Sequence, residues 1–88
     1  MAKQSPLAAL ERAVRIADGQ TALAKLCGPP VTQRHVWIWL NRGKRAPLEH
    51  VPAIEAGTGV PAEQLAPDVK WIRNRHGRAI AYQVDLAA

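Results

Sequence analysis

Apolar positions recur at helical spacing through the first two thirds of the chain and switch to alternation in its last quarter. Leu7, Leu10, Val14 and Ala17 fall three or four residues apart, which predicts a first helix over about 6–17. Ser5 stands as its cap and Pro6 at its first position. Ala8, Ala9 and Ala13 let neighbours approach closely, Glu11, Arg12 and Arg15 belong outside, and Asp18-Gly19 ends the helix. Gln20 and Thr21 open a second helix whose inner face is Ala22, Leu23 and Leu26. Cys27 closes it as a small core residue. Gly28 follows, where glycine takes the left-handed conformation without a Cβ penalty. Pro29-Pro30 makes the next turn stiff and longer than the minimum, because neither proline donates an N–H and Pro30 keeps Pro29 out of the helical region.

A third helix is predicted over about 32–41. Thr32 caps it, Val36, Trp39 and Leu40 face inward, and Gln33, Arg34, Trp37 and Ile38 fall on the other faces. In the fourth helical region Leu48, Val51, Ala53 and Ile54 point inward. Pro52 requires that helix either to kink or to start there. Gly57-Thr58-Gly59 stops it, and one further short turn follows whose apolar ends, Val60 and Leu65, close the core. Beyond Ala66-Pro67-Asp68 the apolar residues alternate. Val69 and Trp71 share one side of their strand, and Ile80, Tyr82, Val84 and Leu86 share one side of theirs. Asn74-Arg75-His76-Gly77 between them is a turn sequence. A four-residue loop there sets Trp71 opposite Ile80 and Val69 opposite Tyr82, with all four on one face of a β-hairpin. Two strands alone are marginal, so that face must pack on the helices or on a second subunit. Trp71, Ile80, Tyr82 and Val84 are the candidates for the second role. The expectation is a mainly α protein: residues 1–4 a loose tail, residues 1–68 a helical domain, and residues 69–86 its C-terminal hairpin extension.

Eighty-eight residues, 48% of them hydrophobic, make one small domain with a limited core. Twelve Lys and Arg against seven Asp and Glu give a net charge of +5, and their distribution says more than the sum. No acid lies between Asp18 and Glu49, where Lys25, Arg34, Arg42, Lys44 and Arg45 fall. A second acid-free gap, from Asp68 to Asp85, holds Lys70, Arg73, Arg75 and Arg78. The first gap coincides with the central two-helix stretch and points to a polyanionic partner. Cys27 is alone, so a reducing compartment fits. With no long apolar run and no secretory h-region, a cytoplasmic location is expected and no membrane partner. Cys27, His35, His50 and His76 do not follow a zinc-site spacing. No nucleophile–base constellation, phosphate-binding glycine loop or paired carboxylates stand out, so neither an enzyme nor a metal or other cofactor is expected.

A positive helix with polar residues in its first turn suits the major groove of duplex DNA. Gln33 matches the edge of adenine and Arg34 that of guanine, while Ile38, one turn on, suits a thymine methyl. Trp37 packs either along the sugar-phosphate wall or on another part of the protein. Gln20 and Thr21 at one helix start, Thr32 and His35 at the next, and Arg42, Lys44 and Arg45 in the following loop are the phosphate candidates.

The segments Gly19-Gln20-Thr21-Ala22-Leu23-Ala24, Gln33-Arg34-His35-Val36-Trp37-Ile38-Trp39-Leu40-Asn41, Ala53-Ile54-Glu55-Ala56-Gly57-Thr58-Gly59 and Leu65-Ala66-Pro67-Asp68 together resemble the Cro/cI-type helix-turn-helix proteins of phages and prophages, in particular the YdaS-like, or Cro-like, group. The resemblance covers about residues 10–69. It implies a five-helix lambda-repressor-like domain, a small transcriptional regulator acting as a repressor, and a homodimer on a pseudo-palindromic operator. By position it makes Gln20 a phosphate contact and places Gln33, Arg34 and Ile38 on base-contacting positions. The Cys27-Gly28-Pro29-Pro30 turn is longer than the shortest family pattern and would tilt the third helix. The hairpin lies outside the common helical core, and some Cro-like proteins dimerise through C-terminal strands. The group is also described as an antitoxin family, which makes a toxin-binding or other protein-interaction module the alternative. An RNA-binding protein is a third, although neither a ribonucleoprotein aromatic motif nor a KH-type glycine loop is present.

Overall fold

The computed structural model describes residues 5–84. Within them α1 (Pro6–Ala17), α2 (Gln20–Cys27), α3 (Gln33–Ile38), α4 (Val51–Thr58) and α5 (Ala62–Leu65) precede a hairpin of β1 (Lys70–Arg73) and β2 (Ala79–Gln83). The expected tail at 1–4 and Leu86 lie outside the described residues. Local chemistry sets most helix ends. Ser5 Oγ accepts the Ala8 N–H at 3.1 Å, and Asp18 turns into the left-handed region at φ 72° to stop α1. Gly28 ends α2 at φ 83° but with an extended ψ of 160° rather than the compact left-handed conformation expected. A 3-10 turn at Leu48–His50 leads into α4, so Pro52 sits in the first turn of a new helix rather than at a kink. The third helix continues past α3 through a π-helical turn, Trp39–Gly43, before Lys44 reverses the chain at φ 62°.

None of these helices is long enough to be stable alone in water, and all share one core. Leu10, Leu23, Val36, Val51, Ile54, Val60 and Leu65 are its fully buried side chains. Ala9, Ala13, Ala24, Ala46, Ala62 and Ala66 between them keep the helices close. Among the described residues no buried one is polar. Leu26 departs from its expected inward place, being 40% exposed. It lies over Gly57 at the end of α4, where a Cβ would come within 2.7 Å of its Cδ1, so it covers the outer rim of the α2–α4 contact. Arg12, expected outside, is half-buried and bonds to Gln64.

The hairpin folds back on the helices, with a different register from the one expected. Trp71 pairs with Tyr82 and Ile72 with Ala81, after which Arg73 pairs with Ala79 and Ile80 is left over as a bulge. The cause is the turn. Asn74 N–H donates to the Arg78 carbonyl, and Asn74 Oδ1 accepts from the N–H groups of His76 and Arg78. The loop therefore holds three residues rather than four, and a bulge follows it. Ala79 takes the buried place expected of Ile80, which is 59% exposed. Trp71 is buried, donates its Nε1–H to the Ala66 carbonyl at 3.0 Å and meets the Tyr82 ring edge-on at 5.5 Å. A polar clasp completes the attachment. Glu55 of α4 takes Arg73 on both oxygens, at 2.7 and 3.1 Å. The same carboxylate accepts the N–H groups of Ala62 at 2.9 Å and Ala79 at 3.2 Å. Glu63 of α5 closes the other side of the Arg73 guanidinium.

Partial burial raises the Glu55 pKa, but Arg73 and the two backbone donors outweigh it and hold the carboxyl below the usual glutamate range. The Arg73 hydrogen bond lowers Glu63 in the same way. Because the folded values are depressed, the clasp contributes fully above about pH 4.3 and is lost as the pH falls through the folded values. In acid titrations Glu55→Gln should flatten the fall in thermal midpoint. At neutral pH it should cost about 2 kcal/mol in denaturant unfolding, with Trp71 fluorescence in a Trp37→Phe/Trp39→Phe background reporting the loosened hairpin. Leu23→Ala, by contrast, should cost about 3 kcal/mol with no pH dependence of its own.

Candidate nucleic-acid interface

α2 and α3 are joined by residues 28–32, which include a cis Pro29-Pro30 bond. The packing turns Val36 and Trp39 into the core and leaves Gln33, Arg34, Trp37 and Ile38 exposed, as their helical spacing predicts. Trp39 is held from its far side by His50, whose ring stacks on it at 5.5 Å. Trp37 is 45% exposed and Ile38 37%, a large apolar pair on an otherwise polar surface. Asn41 Nδ2 donates to the Trp37 carbonyl at 2.9 Å.

The amino ends of α2 and α3 meet at this surface. Gln33 Nε2 donates to Gln20 Oε1 at 2.6 Å. The bond orients both amides: Gln20 keeps its NH2 donors free, and Gln33 keeps one N–H and its carbonyl oxygen free. Thirteen positions separate the two residues, so nothing in either segment alone announces the pair; the available signal is that a glutamine opens each helix. Thr32 caps α3 through a capping box with His35. The Thr32 N–H donates to His35 Nδ1 at 3.0 Å, so that nitrogen carries no proton in this arrangement and Nε2 holds the ring's N–H. His35 thus secures the start of α3 in addition to being exposed beside it.

The basic residues divide into two groups. Arg34, Arg42 and Lys44 are exposed, and so is Thr21 at the start of α2. Arg45 is instead drawn back by Asp68 at 2.7 Å. That bond ties the loop after the third helix to the base of the hairpin and holds the Asp68 carboxyl below its usual range. With no Asp or Glu in α2 or α3, the formal side-chain charges on these two helices are all positive, and the Gln20–Gln33 pair joins their amino ends. Cys27 is half-buried, and burial raises its thiol pKa. Among the described residues no group of three or more His, Cys, Asp or Glu side chains is placed to hold a metal ion, and no helix is long and apolar enough to cross a membrane. Of the hairpin residues expected at a subunit contact, Trp71 is in the core, whereas Ile80, Tyr82 and Val84 are exposed, joined by Ile72.

The described residues thus form five short helices around one core, with the acid-free α2 and α3 carrying an exposed, mainly polar face. The family model described as "Bacterial toxin YdaS" matches residues 10–74, and the chain belongs to that family. It is 36% identical over 63 residues to the "Putative transcriptional regulator YdaS" of Escherichia coli (strain K12), across 69% of this chain and 62% of that protein. The chain thus spans about three fifths of the length of the curated relative it matches. No solved structure matches it. The family match takes in β1 and its Trp71 and Arg73 and ends before β2.

The capping geometry sets an expected order of stabilities. Thr32→Ala should lower unfolding free energy by about 1 kcal/mol, whereas His35→Gln, which keeps an acceptor at the same helical position, should melt close to the parent. Thermal melts followed by circular dichroism measure both.

Proposed function

We propose that the chain is a regulator of transcription that binds duplex DNA sequence-specifically and acts as a repressor. α2 and α3 serve as a helix-turn-helix of the lambda-repressor-like type, with α3 in the major groove. The Gln20–Gln33 bond carries the proposal. An amide braced at the start of an exposed helix retains one N–H and one carbonyl oxygen, which is the pattern that pairs with the N7 and N6 groups of adenine. Beside it Arg34 takes guanine, Ile38 a thymine methyl, and Trp37 the sugar wall of the groove. Gln20, Thr21, Thr32 and the His35 Nε2–H line the backbone on one side, with Arg42 and Lys44 on the other. Arg45 would have to leave Asp68 to join them, and so contributes less. The name of the Escherichia coli relative supports a regulatory role.

One such module makes few base contacts. Two copies on half-sites about 34–36 Å apart would supply the affinity of an operator. The exposed Ile72, Ile80, Tyr82 and Val84 on the hairpin favour a homodimer held there. The same residues also support a second reading in which the hairpin engages a different protein; with the family described as a toxin, that reading makes this chain the toxin and the other protein its antitoxin or target, rather than the toxin partner expected of an antitoxin.

Selection of bound duplexes from a random pool tests the proposal. An enriched pseudo-palindrome supports a dimeric DNA-binding protein, and no enrichment rejects sequence-specific binding. On the selected site Arg34→Ala should cost about 1–3 kcal/mol and relax one base position. Unchanged binding by that variant removes α3 as the reader.

A further inference from the structure

Of the cations in the second acid-free stretch, Arg73 is used in the clasp, whereas Arg75 and Arg78 lie in the turn between β1 and β2, at the tip of the hairpin. Glu55 and Glu63, the carboxylates that α4 and α5 turn toward the hairpin, are both engaged by Arg73. Arg75, His76 and Arg78 are exposed, and among the described residues none of their side chains has a hydrogen bond or an ion pair. The turn that carries them is held firmly. Asn74 Oδ1 binds two of its N–H groups, and the Gly77 carbonyl accepts from Arg73 Nη1 at 2.7 Å. Two guanidinium groups are therefore presented, three residues apart, on a turn bonded through Arg73 to the helical body.

We infer that this tip is a second phosphate-binding element, which contacts the sugar-phosphate backbone of duplex DNA separately from α3. The composition of the tip selects that ligand. Asn-Arg-His-Gly-Arg has no apolar side chain to bury against a protein partner and no Phe, Tyr or Trp on which an unpaired base would stack. Guanidinium forks match phosphate oxygens bidentately. Contacts of this kind add affinity and salt dependence but carry no sequence information. The inference presupposes the duplex binding proposed above, and it adds a contact that the helix-turn-helix does not supply.

The test compares the full-length chain with Arg75→Gln/Arg78→Gln, a double variant that leaves Arg73 and the clasp intact. An unchanged thermal midpoint and unchanged intrinsic fluorescence of the three tryptophans, Trp71 of the hairpin among them, confirm that the fold is intact. Binding to the selected duplex and to scrambled DNA is then titrated against salt. The slope of log affinity on log salt should fall in magnitude by about 2, with affinity near 0.1 M salt lower by roughly tenfold or more on both DNAs and base preference unchanged. An unaltered slope and affinity overturn the inference, as does a parent chain that binds neither DNA at low salt. Arg34→Ala separates the two proposals. If it leaves base preference intact while the double variant still lowers the slope, the assignment of α3 fails and the tip contact stands.

Discussion

One carboxylate holds three parts of this chain together. Glu55 projects from α4 and takes the first N–H of α5, the guanidinium of Arg73 from β1 and the first N–H of β2. None of those parts is stable by itself: α5 is four residues long and the sheet has two strands, both below what persists alone in water. Apolar burial of Trp71 and Ala79 brings the hairpin to the helices but does not set its angle. The clasp fixes the angle, because Arg73 must meet two carboxylates on two helices at once. What remains on the far side of the hairpin is then settled too: Ile72 and Ile80 are left exposed because the inward places are taken.

The same clasp shapes the charge distribution. Glu55, Glu63 and Asp68 are each bound to an arginine, so three of the protein's seven acids are spent within the fold and screen little of the rest. Among the described residues Arg34, Arg42 and Lys44 are exposed on the third helix and the loop after it, and Arg75 and Arg78 at the hairpin tip. A net charge of +5 is modest. Its effect on a polyanion depends on local density, which is highest where acids are absent for a whole helix. The chemistry differs between the two surfaces. The α2–α3 face combines amides, one free arginine and exposed Trp37 and Ile38, a mixture able to distinguish bases. The tip has charge alone.

Most of the fold was legible in local sequence. Ser5-Pro6, Asp18-Gly19, Thr32, Pro52 and Gly57-Thr58-Gly59 each set a helix boundary through forces acting within one turn of chain. The outward set on α3, Gln33, Arg34, Trp37 and Ile38, followed from helical period once Val36 and Trp39 were assigned to the core. The chain's own residues therefore determined that there are five short helices, where the hairpin begins, and which side chains a groove-reading helix would present.

Tertiary structure decided the matters that depend on distant partners. Whether Gln20 and Gln33 meet depends on how α2 packs against α3. Whether Arg45 is free depends on where Asp68 lands. The hairpin register turned on one side chain, since the bonds of Asn74 Oδ1 shorten the loop by a residue and create the bulge at Ile80. That displaced a pairing which alternation alone had placed two positions away. Glu55 gave no signal in its own segment, where it reads as an ordinary polar position on a short helix. Its role exists only because the fold delivers Ala62, Arg73 and Ala79 to it. Periodicity is a property of one element and can be read from one element. Pairings between elements are won by whichever polar groups burial brings within bonding distance, and the linear pattern of apolar residues does not contain that information.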